Sequence, residues 1–314
     1  MSPDPLARLA PEVSRAFSDL QSAVWAGSSP ARSALVSRRI TQLLGGPIED
    51  GTDPAGAPGL SHQVSQQLSR WPDSPEFSGE ERACLGFVEQ FVIDVAGVDD
   101  RLRRQLGSAL GADAVLEFVV ALFALDYGQR VAMVLGSLFP DDPVVGSGLG
   151  GPARTGGSVD GAALLGVFDE LSRVVARMDS LDPVTTELVR LRGARQHDCR
   201  LCRSTRSARA LDAGADEELL GTTERYETSE LAESQKAALR LTDAVITRPD
   251  GVDGVLAAHV HEWFTPTQVV ELVMDVMRNS GQKIAVALAA DEPHVTEGVE
   301  RFEITPSGDV VYLP

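Results

Sequence analysis

The sequence predicts an all-α protein built from two tandem copies of one helical unit, closed by a short C-terminal β-hairpin. Three observations predict it. Apolar residues recur at helical spacing along most of the chain. Two long stretches repeat that pattern at a constant offset. Strand signals are confined to the end of the chain.

The repeat is read by aligning SGEERACLGFVEQFVIDVAGVDDRL, from Ser78, with AESQKAALRLTDAVITRPDGVDGVL, from Ala232. Cys84, Phe87, Val88 and Phe91 then match Ala238, Leu241, Thr242 and Val245. A spacing of three, one and three is one face of an amphipathic helix. Val115, Phe118, Val119 and Leu122 match Val269, Leu272, Val273 and Val276 in the same way. DYGQRVAMVLG from Asp126 matches NSGQKIAVALA from Asn279 after a one-residue slip. Upstream, Glu12 and Leu35 open segments that match those opened by Glu170 and Leu188. A period of roughly 155 residues exceeds any solenoid unit and points to duplication of a whole domain. The division is 1–140, a Gly/Pro-rich linker over 141–160, and 161–314. GSGLGG within the linker follows no strand and has the wrong spacing for a nucleotide loop. Helix boundaries are marked by Asp182-Pro183, by the capping box Thr265 to Gln268, and by the stop at Gly214. The hairpin is expected in RFEITPSGDVVYL, from Arg301.

A formal net charge of −18 argues against nucleic acid and against anionic membrane as partners. No apolar run is read as long enough to cross a bilayer. Met1 to Arg8, with Asp4 and Pro5, does not resemble a signal peptide, so the expected location is cytoplasmic. Three cysteines, Cys84, Cys199 and Cys202, make no disulfide framework, but two form a C-x-x-C pair.

That pair carries the chemistry. Glu187 sits on one helix. His197-Asp198 is read as a break, with Asp198 capping a second helix whose face is Leu201, Ser204, Ala208 and Leu211. Cys199 then lies in the first turn and Cys202 one turn later. A helix start favours thiolate, and two thiols one turn apart can close a disulfide. Arg203 and Arg206 would stabilise a thiolate, and Arg206, four residues after Cys202, would reach back to its sulfur. Glu187 could accept or relay a proton. Structural zinc would need a fourth ligand beyond Cys199, Cys202 and His197. An inert pair of thiols is the third reading. Cys84 is read as core, and His259 and His261 as a helix end rather than ligands.

Glu187, Cys199 and Cys202, spaced Glu-x(11)-Cys-x-x-Cys and followed by a small-residue helix and AGADEELL, resemble the carboxymuconolactone decarboxylase / alkylhydroperoxidase D-like superfamily. SQKAALRLTDAV and VVELVMDVMRNSGQKIAVAL fit the same family. The resemblance covers nearly all of the second half. It implies two helical alkylhydroperoxidase D-like domains and a peroxiredoxin-type, antioxidant thiol peroxidase or thiol-disulfide redox protein. Cys202 would be the peroxidatic residue, Cys199 the resolving one and Glu187 part of the proton relay. The family's final His is Arg206 here, and the position before the second Cys is Leu201. Arg cannot shuttle a proton near neutrality, so slow peroxide turnover is expected, with His197 as a nearby substitute. In the first copy Ala34, Gly46 and Glu49 stand at the motif positions, so that copy lacks thiol chemistry. The alternative is a non-redox member, either a lactone decarboxylase-like enzyme using His259 and His261 or a silent assembly protein. The implied partners are a small hydroperoxide or a disulfide-exchange protein. No metal or cofactor is implied. Homo-oligomers are expected, as a trimer or a dimer.

Overall fold

The computed structural model describes residues 4–27, 29–46, 62–142 and 160–313. The position proposed for Glu49 and nearly all of the 141–160 linker lie outside the described residues. The described residues are mostly helical, 71% helix and 5% strand.

In the first half, α1 (Pro5–Leu9), α2 (Pro11–Trp25) and α3 (Pro30–Leu43) are followed by α4 (His62–Gln67), α5 (Gly79–Ile93), α6 (Asp100–Leu110) and the long α7 (Ala112–Leu138). In the second, α8 (Gly161–Ala176), α9 (Pro183–Gln196) and the single turn α10 (Arg200–Arg203) lead to strand β1 (Thr205–Ser207). Then come α11 (Ala208–Asp212), α12 (Glu217–Gly221), α13 (Glu233–Thr247), α14 (Gly254–Trp263), α15 (Pro266–Ser280) and α16 (Lys283–Ala287). The chain closes with β2 (Glu300–Ile304) and β3 (Val310–Leu313).

The caps follow the sequence signals. Asp182 accepts from the Thr185 amide with Pro183 in the first turn, and Thr265 and Gln268 form the capping box of α15. Gly214 takes φ +99, a left-handed value that a side chain disfavours.

The two halves are not separate globules. Helix α8 packs against α2 and α7, and α15 packs against α7, α8, α9 and α13. Residues such as Leu20, Phe91, Val119, Leu188, Leu241 and Val273 belong to one continuous apolar cluster. Helix α7 corrects one expectation, because its length and composition would suffice to cross a membrane. It is instead the central core helix, with 89% of its most apolar window buried in the fold. Cys84 is fully buried in that core, as its helix face implied, and burial pushes its thiol up to about 12.

The C-terminal hairpin is present, with Phe302 opposite Tyr312. It gains a partner that the sequence reading missed. Strand β1 pairs in parallel with β2, Thr205 beside Glu300 and Ser207 beside Phe302, giving the order β1-β2-β3. The helix expected to run from the cysteines to Leu211 is therefore broken. The chain leaves helical geometry at Ser204, whose carbonyl accepts from the Glu300 amide at 2.8 Å, and re-enters at Ala208, capped by Ser207.

Candidate active site

The cysteine turn is positioned by the end of α9. The Cys199 amide donates to the Ala194 carbonyl at 2.9 Å and the Asp198 amide to the Arg195 carbonyl at 3.1 Å. With Asp198 in the left-handed region at φ 49, this is a Schellman motif. Asp198 is thus the reversal point of α9 rather than the cap of the next helix. The cap is Cys199 itself, whose Sγ accepts from the Cys202 amide at 3.2 Å. The other free amides of the turn go to Asp291, with Arg200 N donating to its Oδ2 at 2.9 Å and Leu201 N to its carbonyl at 3.0 Å.

Both cysteines are reduced, Cys199 buried and Cys202 half-buried. They share a sulfur–sulfur hydrogen bond, and they titrate as a pair. The bond from the Cys202 thiol, together with the Cys202 amide and despite burial, holds Cys199 below the ordinary thiol value. The same bond, with burial and the neighbouring charge, drives Cys202 far above it. The Cys202 amide that donates to Cys199 Sγ favours charge on Cys199, whereas the sequence reading placed the thiolate on Cys202.

Arg206 does not face the thiols. It lies on β1, not on a helix with Cys202. Its guanidinium pairs with Glu217 at 2.8 and 2.9 Å and donates to the carbonyls of Arg203 and Thr205. Arg203 is exposed and pairs with Asp198. The cation beside the sulfurs is Arg190. It forms a two-bond pair with Glu187 at 2.7 Å each and donates to the Cys202 carbonyl at 2.9 Å and to the Thr205 carbonyl at 2.7 Å. It also lies over the Phe302 ring, 5.1 Å from the centroid. Arg190 was legible as the residue three positions after Glu187, but β1, which explains why it must be there, was not.

Glu187 is almost fully buried. Its Oε1 and Oε2 accept from Arg190, and Oε1 also accepts from the Ser207 amide. That geometry makes it an anchor for the turn and its following strand rather than a proton donor. His197 ends α9 and is buried. Its Nε2 lies 3.0 Å from Ser280 Oγ and 3.4 Å from the Tyr127 hydroxyl of the first half. Burial, with the nearby cations Lys283 and Arg130, holds it well below the usual histidine value, so it is neutral at pH 7.

Cys199, Cys202, Arg190, His197 and Arg278 line one cleft of about 470 Å³. Its apolar walls include Phe168 and Ile284, and Tyr312 from β3 closes one side. Arg206, His259 and His261 are not part of it. His259 bonds to Arg240 and His261 to the Leu138 carbonyl, so these two do not build a shared histidine pocket. Among the described residues no group of three or more His, Cys, Asp or Glu side chains could hold a metal ion.

Below Arg278 sits Asp275, buried, with its carboxyl raised to about 7 by burial, against the pull of Arg278 and with the push of Glu271. A carboxyl raised in the folded state binds its proton more tightly there than in the unfolded chain. Its contribution is favourable at low pH and is lost as pH rises from about 4 through 7. At ~1.4 kcal/mol per pH unit, the cost at pH 8 is at most on the order of 4 kcal/mol. Asp275→Asn should therefore stabilise the protein at pH 8 by about 1–4 kcal/mol and by little at pH 4. Urea unfolding at both pH values measures this, and equal effects at both would refute it.

No family model matches the chain, and no solved structure matches it. Two curated relatives do: Uncharacterized protein Rv2313c of Mycobacterium tuberculosis (strain ATCC 25618 / H37Rv) and Uncharacterized protein MT2376 of Mycobacterium tuberculosis (strain CDC 1551 / Oshkosh). Each is 42% identical over 242 residues, covering 77% of this chain and 82% of the relative.

Proposed function

Because the chain belongs to one family with these two uncharacterized Mycobacterium tuberculosis proteins, we propose its function from its own cleft: a dithiol oxidoreductase that reduces hydroperoxides, with Cys199 and Cys202 cycling between dithiol and disulfide. The single observation that carries this is geometric: two free cysteines lie one turn apart at the wall of a cleft, with the Cys202 amide donating to Cys199 Sγ at 3.2 Å.

The chemistry balances on those two groups. The Cys199 thiolate attacks the outer oxygen of a hydroperoxide, the O–O bond breaks, and Cys199 becomes a sulfenic acid. The departing alkoxide takes the proton of Cys202. That transfer creates the second thiolate only when it is needed. Cys202 then attacks the sulfenic sulfur, the S–S bond forms, the S–O bond breaks, and the departing hydroxide is neutralised to water by one net proton from the buffered solvent. Two electrons, one from each sulfur, have gone to the peroxide, and the products are an alcohol, water and a disulfide. This removes the need for Arg206 or Glu187 as a proton donor.

The fit to the alkylhydroperoxidase D-like superfamily remains part of the proposal. So does the tandem duplication, which the element pattern supports. Helices α5 and α13 are each 15 residues and each is followed by a short 3-10 turn, Val95–Gly97 and Pro249–Gly251. The next helix in each half is capped by an aspartate, Asp99 and Asp253.

The test is mass spectrometry after one equivalent of tert-butyl hydroperoxide. The expected result is loss of two hydrogens and a Cys199–Cys202 link, with Cys84 unmodified. A pair that stays reduced, or modification of Cys84 first, would overturn the reading.

A further inference from the structure

The cleft holds one cation that the fold does not compensate. Arg190 is fully engaged by Glu187 and by the carbonyls of the cysteine turn. Arg278 is different. Among the described residues it forms no ion pair within 4 Å, and its one side-chain hydrogen bond is a long one, Nη1 to Asn279 Oδ1 at 3.4 Å. Every other arginine around the cysteine turn has a carboxylate: Arg190 has Glu187, Arg200 has Asp291, Arg203 has Asp198 and Arg206 has Glu217. A half-buried guanidinium without such a partner bears the desolvation cost of a cation without its return.

A second observation points to a missing acceptor at the same place. Asn279 also lines the cleft, and its Nδ2 is buried with no hydrogen-bond partner. Unsatisfied buried donors are uncommon and call for an explanation. The rest of the wall is largely apolar, with Leu165, Phe168, Ile284 and Leu288. Among the described residues Asp169 is the one carboxylate on the lining, but it is exposed and its charge partner is Arg173 rather than Arg278. Asp275, the carboxyl closest in charge to Arg278, is raised to about 7 and so is partly neutral at that pH.

We propose that this cleft binds amphiphilic organic anions, an aliphatic or aromatic body along the apolar wall and a carboxylate on Arg278 beside Asn279. A carboxylate has the planar fork that a guanidinium matches with two bonds. The inference goes beyond the redox reading by naming a ligand class. It rests on that reading only in taking the cleft as the place of reaction.

Calorimetric titration of the reduced, full-length protein with octanoate tests it, because the thiols cannot oxidise octanoate. Octanamide is the neutral control. Octanoate should bind saturably and about tenfold or more tighter than octanamide. Arg278→Met should remove that preference, and Arg278→Lys should keep part of it. Equal binding of the two ligands by the wild type, or no saturable binding, overturns the proposal whether or not the variants fold. An unchanged preference in a folded Arg278→Met protein overturns it too. Failure of peroxide to form the Cys199–Cys202 link would leave octanoate binding intact, so the two readings fail separately.

Discussion

Replacing Asp126 with alanine should destabilise the protein by about 3–5 kcal/mol. Asp126 is fully buried on α7 and is shared by two buried cations. Its Oδ1 accepts from Arg130 Nε at 2.6 Å and its Oδ2 from Lys283 Nζ at 2.9 Å. Arg130 also donates to the carbonyls of Val92, Val245 and Ile246. One carboxylate thus joins helices α5, α7, α13 and α16 across both halves of the chain. Removing it leaves two positive charges in the core. Lys283, already pulled down to about 8 by burial against the pull of Asp126, would shed its proton, but Arg130 cannot. Lys283→Met should cost far less, since it removes the second cation from a single carboxylate and keeps the aliphatic contact with the Phe91 ring, now 4.4 Å from Nζ. Urea unfolding of the three proteins measures the difference. Equal costs for the two variants would show that Asp126 is not the hub.

Arg190→Met should be comparably severe, also about 3–5 kcal/mol, and should disturb the thiols as well. It strips the buried Glu187 carboxylate of its cation and takes one of two donors from each of the Cys202 and Thr205 carbonyls, which keep Thr205 Oγ1 and Arg206 respectively. The guanidinium also favours charge on both sulfurs, so thiolate should form at higher pH in the variant. Arg190→Lys should not restore stability, because one ammonium cannot make a forked pair with Glu187 and reach two carbonyls. Glu187→Leu combined with Arg190→Met should recover part of the loss by removing both charges together. A loss below about 1 kcal/mol for Arg190→Met would contradict the clamp.

The helices and their ends were legible in the sequence because they depend on local signals. Asp182, Thr265 and Gly214 each act within one turn of themselves. The C-x-x-C pair was legible for the same reason. What was not legible depends on residues far apart in sequence. Strand β1 exists because Thr205 to Ser207 meet Glu300 to Phe302, and no local pattern in TRS announces a strand. That pairing ends the helix at Ser204 and carries Arg206 away from Cys202. Asp198 looked like a cap because aspartate often is one, but aspartate also tolerates the left-handed geometry that a Schellman turn needs. Arg278 and Tyr127 reach the site from α15 and from α7 of the other half. Spacing alone could not place them there.

The central claim is that the two thiols hold one proton between them, with the charge on Cys199. Titration of the ultraviolet thiolate absorbance tests it most directly, run on a Cys84→Ala background and on Cys199→Ser and Cys202→Ser within it. The wild-type pair should show one thiolate per chain formed below the ordinary thiol value of about 8.5, and no second one up to pH 11. Cys202→Ser should retain that thiolate, because a hydroxyl still donates to Cys199, while Cys199→Ser should lose it. Retention in Cys199→Ser and loss in Cys202→Ser would place the charge on Cys202 and contradict the account.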